Sequence, residues 1–377
     1  MNIGIDIRPA LKAKTGVGNY VCNLVSALVE LDRENQYSLF SNSFRDRCDF
    51  PQIQGHSKWR VRDYRFANKL MNYLWGQVGG FPISLLVRGV DVFHFTGAIA
   101  PSLKGISTLA TIYDLYHVRH PESVEPRHRV SLHGLKNNLN AVSGIIAISE
   151  FTKSDLAGYL GIAPEKIDVV PLGVNTRVFK PLTGCAEYLK NRFALEGRYL
   201  LFVGTLESRK NLLPLLDAFR MILDRHAHLK LVLVGSPGMG FEHIQTRMQA
   251  GNLKNSVLCL GYVDADQDLP YLYGGADAFV FPSLYEGFGL PVLEAFACGT
   301  PVAASNGTSI AEVAADAALL FDPHEPDDIA EKVLRILEEP ALAQTLKKKS
   351  SARASDFTWA ETAKKTLRIY KKTGEHR

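Results

Sequence analysis

Short apolar runs alternate with amphipathic segments along the first half of the chain. The opening run, "NIGIDI", is followed by a loop that contains glycine and then by "YVCNLVSALVEL", whose apolar residues recur at helical spacing. Further apolar runs are "VDVFHF", "STLATIY", "GIIAIS" and "KIDVVP", and the helix-like "FTKSDLAGYLG" lies between the last two. Strands that alternate with helices predict a parallel sheet covered by helices on both faces.

The same alternation starts again after Gly173. The runs "RYLLFVGT", "LKLVLVGS", "SVLCLGYV", "DAFVFPS" and "PVAAS" are strand-like, and segments such as "NLLPLLDAFRMIL" have helical spacing. We therefore predict an α/β protein with two Rossmann-like, doubly wound domains, at residues 1–175 and 196–355, joined by a linker at 176–195. The segment 356–377 has the pattern of a basic amphipathic helix.

Composition narrows the choice of compartment. The chain has 46% hydrophobic and 22% charged residues and no low-complexity tract, which is typical of a globular protein. Its five cysteines never form a CxxC pair, which favours a reduced, cytoplasmic location. Asp6 interrupts the first apolar run, and no later run is long enough to cross a bilayer, so we expect neither export nor a membrane span.

The net charge of +4 comes from the first half of the chain, and the second half is balanced. So small an excess is typical of an ordinary solvated surface, and it argues against nucleic acid as a partner. The excess is also compatible with peripheral association at the anionic inner face of the cell membrane.

A glycine-rich loop after the first predicted strand is a candidate binding site. Ligands of open α/β sheets bind beyond the carboxyl ends of the strands, so two such domains are expected to face a central cleft. In "KTGVGNY", Gly16 and Gly18 lie where bare backbone can approach an anion near a helix start. A dinucleotide fingerprint would need a third glycine in place of Val21. We interpret the loop as a phosphate or sugar contact, with a plain turn as the alternative.

Adjacent cations follow the first strand of the second domain. In "VGTLESRKN", Arg209 and Lys210 come just before a predicted helix. Arginine binds phosphate as a planar fork and lysine as a point charge, so the pair suits the two phosphates of a nucleoside diphosphate. A single pair of this kind is also common on an ordinary solvated surface.

The segment "FPSLYEGFGLPVLEAFACGTPV" combines a strand end, a glycine-rich loop and a helix start. Glu286 lies in the loop, Pro291 suits a first helical position, and Glu294 falls in the first helical turn. The start of such a helix offers N–H groups and a positive dipole end to an anion. The alternatives are an acid/base pair of the glycosidase type, or a loop cap and a residue that merely complements the dipole.

Alternating aspartates in "YVDADQDLP" raise the question of a metal site. Asp264, Asp266 and Asp268 have the spacing with which a calcium loop begins, but such a loop needs glycine at its sixth position and glutamate at its twelfth. Those positions are Leu269 and Gly275. We interpret the segment as an acidic turn that caps the next helix.

Histidines follow two strands of the first half. His94 ends "VDVFHF", and His117, His120, His128 and His133 lie beyond "LATIYD". No zinc-type cysteines accompany them. Those nearest the strand ends are candidates for a functional role, and the others for packing or for the surface.

Together these segments resemble the retaining, nucleotide-sugar-dependent glycosyltransferases of family 4, which have the GT-B fold. The resemblance runs nearly end to end, through "TGVGNY", "GIIAISEFTKSDL", "DVVPLGVN", "GTLESRKN" and "LGYVDADQDLPYLYGGADAFVFPS". Its most specific part is "YEGFGLPVLEAFACGTPV", which matches the family's E-x7-E element in the expected strand, loop and helix setting. The family fold implies that the C-terminal helix crosses back to the first domain.

The resemblance implies a diphosphate site around the two adjacent cations. Arg209 and Lys210 would neutralise the donor diphosphate, helped by the amides around Gly289 and Leu290. Thr205 stands where many relatives have arginine, which gives Arg209 more of this task. Two glycines of the first domain would face the same phosphates: Gly16 and Gly18.

The resemblance also implies which residues meet the sugar and the nucleoside. Glu286, with the neighbouring Gly287 and Phe288, would hold hydroxyls of the donor sugar. Glu294 would hold the ribose hydroxyls, and the turn around Val263 would lie by the base.

The catalytic assignment is to Asp114, Glu286 and a residue near the end of the strand "LATIYD". Many relatives have His-Asp where this chain has Tyr113 and Asp114. Either Tyr113 or the nearby His117 would replace the sugar-contacting imidazole.

By resemblance, the protein transfers a hexosyl group from a nucleoside diphosphate sugar to a saccharide or a lipid-linked saccharide. No metal, no other cofactor and no covalent enzyme nucleophile are implied. The form "GTLESRKN" is similar to that of relatives in bacterial surface polysaccharide and O-antigen assembly, so GDP-mannose is the leading donor prediction. The alternatives are a UDP-sugar such as UDP-glucose, a nucleotide-sugar epimerase of the same fold and a non-catalytic sugar-binding protein.

Overall fold

The chain folds into two compact units. They are Met1–Gly173 together with Trp359–Arg377, and Val174–Thr358. The computed structural model describes residues 1–11, 16–43, 50–65, 87, 89–97, 103, 105–123 and 131–375.

The first unit is built on a parallel sheet. Its strands are β1 (Asn2–Asp6), β2 (Gln36–Asn42), β3 (Trp59–Tyr64), β4 (Val92–Phe95), β5 (Ser107–Ile112), β6 (Gly144–Ala147) and β7 (Ile167–Val169). They pair in the order β3-β2-β1-β4-β5-β6-β7, and every pair is parallel. The central strands β1, β4 and β6 are buried almost throughout, which explains why they read as continuous apolar runs.

Helices cover this sheet. Those described before residue 173 are α1 (Gly16–Leu31), α2 (Tyr116–Arg119), α3 (Leu132–Ala141) and α4 (Glu150–Leu160). The boundaries of α4 follow from its sequence. The hydroxyl of Ser149 accepts the N–H of Thr152 at 3.0 Å at its start, and Gly161, with φ of 62°, ends it.

The second unit is built on a six-stranded parallel sheet. Its strands are β8 (Tyr199–Val203), β9 (Lys230–Val234), β10 (Val257–Gly261), β11 (Ala278–Phe281), β12 (Val302–Ser305) and β13 (Leu319–Phe321). Its helices are α5 (Cys185–Phe193), α6 (Leu212–Leu223), α7 (Phe241–Met248), α8 (Leu269–Gly275), α9 (Leu290–Ala297), α10 (Thr308–Ala314), α11 (Pro326–Glu338) and α12 (Pro340–Ser355). The two parallel sheets confirm the predicted pair of doubly wound folds, and α5 lies within the segment predicted as a linker.

The strand order of the second sheet reverses between β8 and β11. The order is β10-β9-β8-β11-β12-β13, so the chain leaves β8 toward one edge and leaves β11 toward the other. The connections that follow these two neighbouring strands therefore lead to opposite edges of the sheet from its carboxyl end. Open α/β sheets bind their ligands at such a point.

The last helix, α13 (Trp359–Glu375), packs on α1 and belongs to the first unit. Its buried face includes Thr362, Thr366 and Tyr370, and Lys364 and Arg368 are exposed. The sequence pattern of a basic amphipathic helix is thereby confirmed. Like every other helix in the described ranges, α13 lacks the combination of length and apolar character that a bilayer crossing requires.

His94 ties α13 to the first sheet. It is fully buried on β4, with Nδ1 2.7 Å from the Tyr370 hydroxyl and Nε2 2.6 Å from Thr111 Oγ1 on β5. Burial lowers the pKa of His94 to about 3, although the charge of Asp6 opposes the shift. The imidazole is therefore neutral and structural, and the sequence-based view of His94 as a functional candidate is wrong.

Candidate functional site

The loop after β8 carries the two adjacent cations. A short helical turn over Ser208–Lys210 follows this strand. Asn211 then takes a left-handed conformation, with φ of 57°, and its side-chain amide donates to the carbonyl oxygen of Pro323 at 2.6 Å. This anchor fixes the end of the loop where α6 begins.

The loop after β9 supports the same segment. The N–H of Leu206 donates to the carbonyl of Ser236 at 2.9 Å, and the N–H of Gly238 donates back to Leu206 at 2.9 Å. Gly235 has φ of 144°, and a Cβ at this position would overlap the backbone of Gly204. Only glycine allows two loop backbones to approach so closely here.

The loop after β11 brings Glu286 to the cations. The N–H of Leu284 donates to the carbonyl oxygen of Arg209 at 3.0 Å, which joins the two loops. Lys210 Nζ donates to Glu286 Oε1, and Arg209 Nη1 lies 3.3 Å from Glu286 Oε2. Ser283 Oγ donates to Glu286 Oε1 at 2.5 Å. Arg209, Lys210 and Glu286 form what we call the ion cluster, and their side chains are 18%, 8% and 12% exposed.

The ion cluster keeps Glu286 ionised. Burial by itself raises the pKa of this carboxyl, but the charges of Lys210 and Arg209 and the hydrogen bonds from Lys210 and Ser283 outweigh burial and lower the pKa. A carboxylate in this state accepts hydrogen bonds and is a poor proton donor. Its environment therefore argues against the general-acid role that a glycosidase pair requires.

Arg209 is anchored on several sides. Its Nε lies 3.1 Å and its Nη2 2.9 Å from Glu207 Oε1, and its Nη1 donates to the carbonyl oxygen of Tyr285 at 2.8 Å. The guanidinium thus links the loops after β8 and β11. Sequence reasoning missed Glu207, although an acidic residue two positions before the cation pair was a signal for it.

Two serine hydroxyls, at the end of β12 and in α10, hold the loop that follows β11. Ser305, the last residue of β12, donates to the carbonyl oxygen of Ser283 at 2.7 Å. Ser309, in α10, donates to the carbonyl oxygen of Glu286 at 2.8 Å. Sequence reasoning missed both residues. Their position at the end of a buried strand and just after it, in "VAASNGTSI", was the available signal.

The start of α9 lies a few residues beyond Glu286. Gly289, with φ of 105°, precedes the helix, Leu290 is its first residue, and Pro291 is second. The N–H of Val292 donates to the carbonyl of Gly289 at 3.0 Å. In the first turn, the N–H of Leu290 lacks an acceptor within the helix and Pro291 has no N–H. Phe288 is buried and packs edge-on against Phe357, with ring centroids 5.8 Å apart, and so holds the loop in place.

Glu294 is the fifth residue of α9 and so lies beyond the first turn, in which the sequence analysis placed it. Its electrostatic environment differs from that of Glu286. Its Oε2 accepts the hydroxyl of Tyr273, on α8, at 2.9 Å. Burial raises the pKa of Glu294 to about 7, since the hydrogen bond from Tyr273 only partly offsets burial and the charge of Asp266 adds to it. The two glutamates therefore have pKa values on opposite sides of the ordinary value.

Family models match both units. Residues 189–353 match the model described as glycosyl transferases group 1, and residues 14–178 match that of glycosyltransferase family 4. The chain is 29% identical to the O-antigen chain mannosyltransferase B of Escherichia coli, over 98% of this chain and all of that protein. The chain belongs to the GT-B glycosyltransferases.

Solved structures show the fold of this glycosyltransferase. Sucrose-phosphate synthase from Thermosynechococcus elongatus matches over the whole of both chains with a TM-score of 0.77 at 23% identity. HepE of Anabaena, in complex with UDP-glucose, matches over 99% of this chain and all of that chain with a TM-score of 0.75 at 16% identity. At these identities the likeness concerns the fold alone.

The residue predicted to lie by the donor base follows β10 in this glycosyltransferase. Val263 is 7% exposed, whereas the preceding Tyr262 is 64% exposed. Asp264 Oδ1 accepts the N–H groups of Asp266 and Gln267, both at 2.9 Å. The segment therefore forms the predicted acidic turn, but Asp268, the residue before α8, makes no side-chain hydrogen bond that caps this helix, so the predicted capping role is wrong.

Asp268 completes this turn at the start of α8. It is buried, and it accepts hydrogen bonds from Tyr188 at 2.7 Å and from Arg192 at 3.1 Å. Burial raises the pKa of Asp268, but the hydrogen bonds from Arg192 and Tyr188 outweigh it and lower the pKa. Across the described ranges, no three His, Cys, Asp or Glu side chains are grouped as a metal ion would require.

The predicted glycines of the first unit lie at the start of α1. Gly16 is the first residue of this helix, and a Cβ there would meet no other atom within 4 Å. Gly18 is buried in the same turn. Lys14 and Thr15, from the same quoted loop, lie outside the described residues.

The predicted catalytic residues of the first unit follow β5. Tyr113 donates its hydroxyl to the carbonyl oxygen of Thr96 at 2.9 Å, and burial raises the pKa of Tyr113. Asp114 Oδ1 accepts the N–H of Tyr116 at 3.0 Å and so begins α2. His117, on α2, has an exposed side chain, and His128 lies outside the described residues. Tyr113 is thus engaged in the loop, whereas the ring of His117 faces solvent.

Proposed function

We propose that this glycosyltransferase moves a hexosyl group from a nucleoside diphosphate sugar to a saccharide or a lipid-linked saccharide, with retention of configuration and without a metal. The ion cluster carries this proposal. It places two cations and an ionised carboxylate at the carboxyl ends of β8 and β11, close in sequence to the start of α9. Cations and helix N–H groups suit a diphosphate, and an ionised carboxylate suits sugar hydroxyls.

The leading donor is GDP-mannose. The relative from Escherichia coli, which aligns over nearly the whole chain, is named an O-antigen chain mannosyltransferase, and this supports a mannosyl group and a polysaccharide acceptor. A UDP-sugar is the second candidate, because the similarly folded HepE was solved with UDP-glucose.

Donor binding requires an exchange of partners in the ion cluster. In the structure, the Glu286 carboxylate pairs with Lys210 and with one arm of the Arg209 guanidinium. A diphosphate carries more negative charge than a carboxylate and would take Lys210 for itself. Glu286 would then turn its oxygens to hydroxyls of the transferred sugar. Recognition of the sugar is in this way linked to recognition of the diphosphate.

Catalysis is then mainly electrostatic. The bond between C1 of the sugar and the diphosphate oxygen breaks, and the acceptor oxygen forms the new bond to C1 on the same face. The departing diphosphate takes the acceptor's proton. Lys210 and the N–H groups at Gly289 and Leu290 stabilise the charge that develops on the diphosphate as C1 gains oxocarbenium character. Glu286 acts as a hydrogen-bond acceptor and not as a nucleophile, which agrees with its pairing to cations.

In the first unit, the assignment of Asp114, with Tyr113 or His117, to the catalytic machinery remains a prediction. Many relatives have a histidine at the position of Tyr113. His117 is exposed, which favours His117 over Tyr113 as the residue that replaces the imidazole of that histidine. The role of Gly16 and Gly18 at the donor phosphates likewise remains a prediction.

A donor panel tests the proposed function. The protein would be incubated with GDP-mannose, UDP-glucose, UDP-galactose or ADP-glucose and a mannose-terminated oligosaccharide, and the products separated by mass spectrometry. We expect extension of the acceptor from GDP-mannose, unchanged by EDTA. A UDP-sugar as the only effective donor would replace the leading donor. No transfer from any nucleotide sugar, or an altered sugar released without acceptor, would contradict the transferase proposal.

A further inference from the structure

Glu294 is held by one buried tyrosine. The hydroxyl of Tyr273 donates to Glu294 Oε2 at 2.9 Å, and Tyr273 is fully buried. Within the described part of the chain, this is the one hydrogen bond to the Glu294 carboxylate. The other carboxylate oxygen, Oε1, accepts no hydrogen bond from the described residues.

Tyr273 is fixed by its own neighbours. Its ring meets Phe279 and Phe179 edge-on, with centroids 5.3 Å and 6.1 Å away. Its carbonyl oxygen accepts the hydroxyl of Thr300 at 2.7 Å. Close packing restricts the movement of the ring, so its hydroxyl donates to Oε2 of Glu294 from a fixed position.

We propose that Tyr273 is a positioning residue for donor binding: it fixes Oε2 of Glu294 so that Oε1 points at the ribose hydroxyls of the donor nucleotide. This inference rests on the proposed function, in which Glu294 holds the ribose. Tyr273 itself touches no substrate. It acts by holding the carboxylate in one orientation and in its ionised form.

The groups around Glu294 favour its protonated form, so the carboxylate needs a hydrogen bond that keeps it ionised. Asp266, in the turn before α8, raises the pKa of Glu294. The thiol of Cys298, the residue just after α9, has its own pKa raised to about 12 by burial and by the charge of Glu294. The hydrogen bond from Tyr273 is the interaction that lowers the pKa of Glu294. An ionised carboxylate accepts from both hydroxyls of a ribose diol, whereas a protonated one does so poorly.

The test compares GDP with 2′-deoxy-GDP as ligands of the wild type and of Tyr273→Phe, by calorimetry from about pH 6 to about pH 9. The two ligands have the same diphosphate ionisation, so their affinity ratio isolates the ribose contact. In the wild type the ratio should favour GDP and should rise as Glu294 ionises. In Tyr273→Phe the rise should move to higher pH, with GDP bound about tenfold more weakly at neutral pH.

Two further variants make the result decisive. In Glu294→Gln, the ratio of the affinity for GDP to that for 2′-deoxy-GDP should be low and should not change with pH. Tyr199→Phe is the matched control, because the buried hydroxyl of Tyr199 donates to the carbonyl oxygen of Leu272, on the same helix, at 2.6 Å. It should bind both ligands as the wild type does.

The inference is overturned if Tyr273→Phe keeps the wild-type ratio and pH dependence, or if it weakens both ligands equally at every pH. Either result would show that the tyrosine only fills space. If GDP does not bind, the same experiment is carried out with UDP and 2′-deoxy-UDP. Failure of every nucleoside diphosphate to bind the wild type would instead remove the proposed function, and this inference with it.

Discussion

At the scale of single residues, the surroundings of two glutamates separate their roles. Glu286 faces two cations and has a lowered pKa, whereas Glu294 faces a hydroxyl and a second acid and has a pKa of about 7. The E-x7-E spacing predicts that both matter, but it does not distinguish them. The difference comes from Lys210, which lies 76 positions from Glu286 in the sequence. Contacts across such a distance depend on the strand order, which no local pattern specifies.

The exchange in the ion cluster leads to a prediction about inorganic pyrophosphate. Glu286→Gln removes the carboxylate that competes for Lys210, so pyrophosphate should bind more tightly, on the order of tenfold, while sugar transfer falls. Calorimetry at fixed salt measures the affinity. Glu207→Gln is the control, because it removes a negative charge beside Arg209 without freeing Lys210, and its gain should be much smaller. Equal gains in the two variants, or none in Glu286→Gln, would count against the exchange.

At the scale of helices and strands, the degree of burial determines which elements can be predicted from the sequence pattern. The strands β8, β11 and β12 are buried at every position and read as apolar runs. β3 has the sequence "WRVRDY" and lies at the edge of its sheet, with only Trp59 buried, so its apolar signal is weak. α5 buries only Cys185 and Leu189 and therefore resembles a linker in sequence.

Buried His94, which links β4, β5 and α13, leads to a prediction about the stability of the first unit at acidic pH. Folded His94 stays neutral down to about pH 3, whereas the unfolded chain binds a proton below its ordinary pKa of 6.5. Stability of the first unit should therefore fall as the pH drops below that value, by about 2 kcal/mol between pH 7 and pH 5. The sequence has no tryptophan between Val174 and Thr358, so urea unfolding followed by tryptophan fluorescence does not report on the second unit and follows the first.

Two variants check the source of this acid sensitivity. His94→Gln keeps a hydrogen-bonding side chain without a titrating ring, and its stability should change much less over the same pH range. His133→Gln alters an exposed histidine on α3 and should behave as the wild type does. The same loss of stability in His94→Gln as in the wild type would show that other groups cause the acid sensitivity.

At the scale of the whole molecule, each unit has its strand-order reversal and its own loops at the carboxyl ends of the sheet. The alternation of strands and helices was enough to predict this architecture, since parallel sheets covered on both faces leave a strong apolar signal. The positions of the site residues after strand ends were predictable for the same reason. The supports of the site, such as Glu207, Ser309 and Tyr273, were not identified, because they act through side-chain geometry, for which a position near a strand end or beside a cation is only a weak signal.

The central claim is that the cations of the ion cluster stabilise the departing diphosphate. The rate of mannosyl transfer from GDP-mannose by Lys210→Ala tests it most directly, with circular dichroism to verify folding and the exposed Lys347→Ala as control. We predict that Lys210→Ala stays folded and loses at least about a hundredfold in rate, while Lys347→Ala keeps the wild-type rate. A folded Lys210→Ala variant that transfers mannose as fast as the wild type would contradict the account.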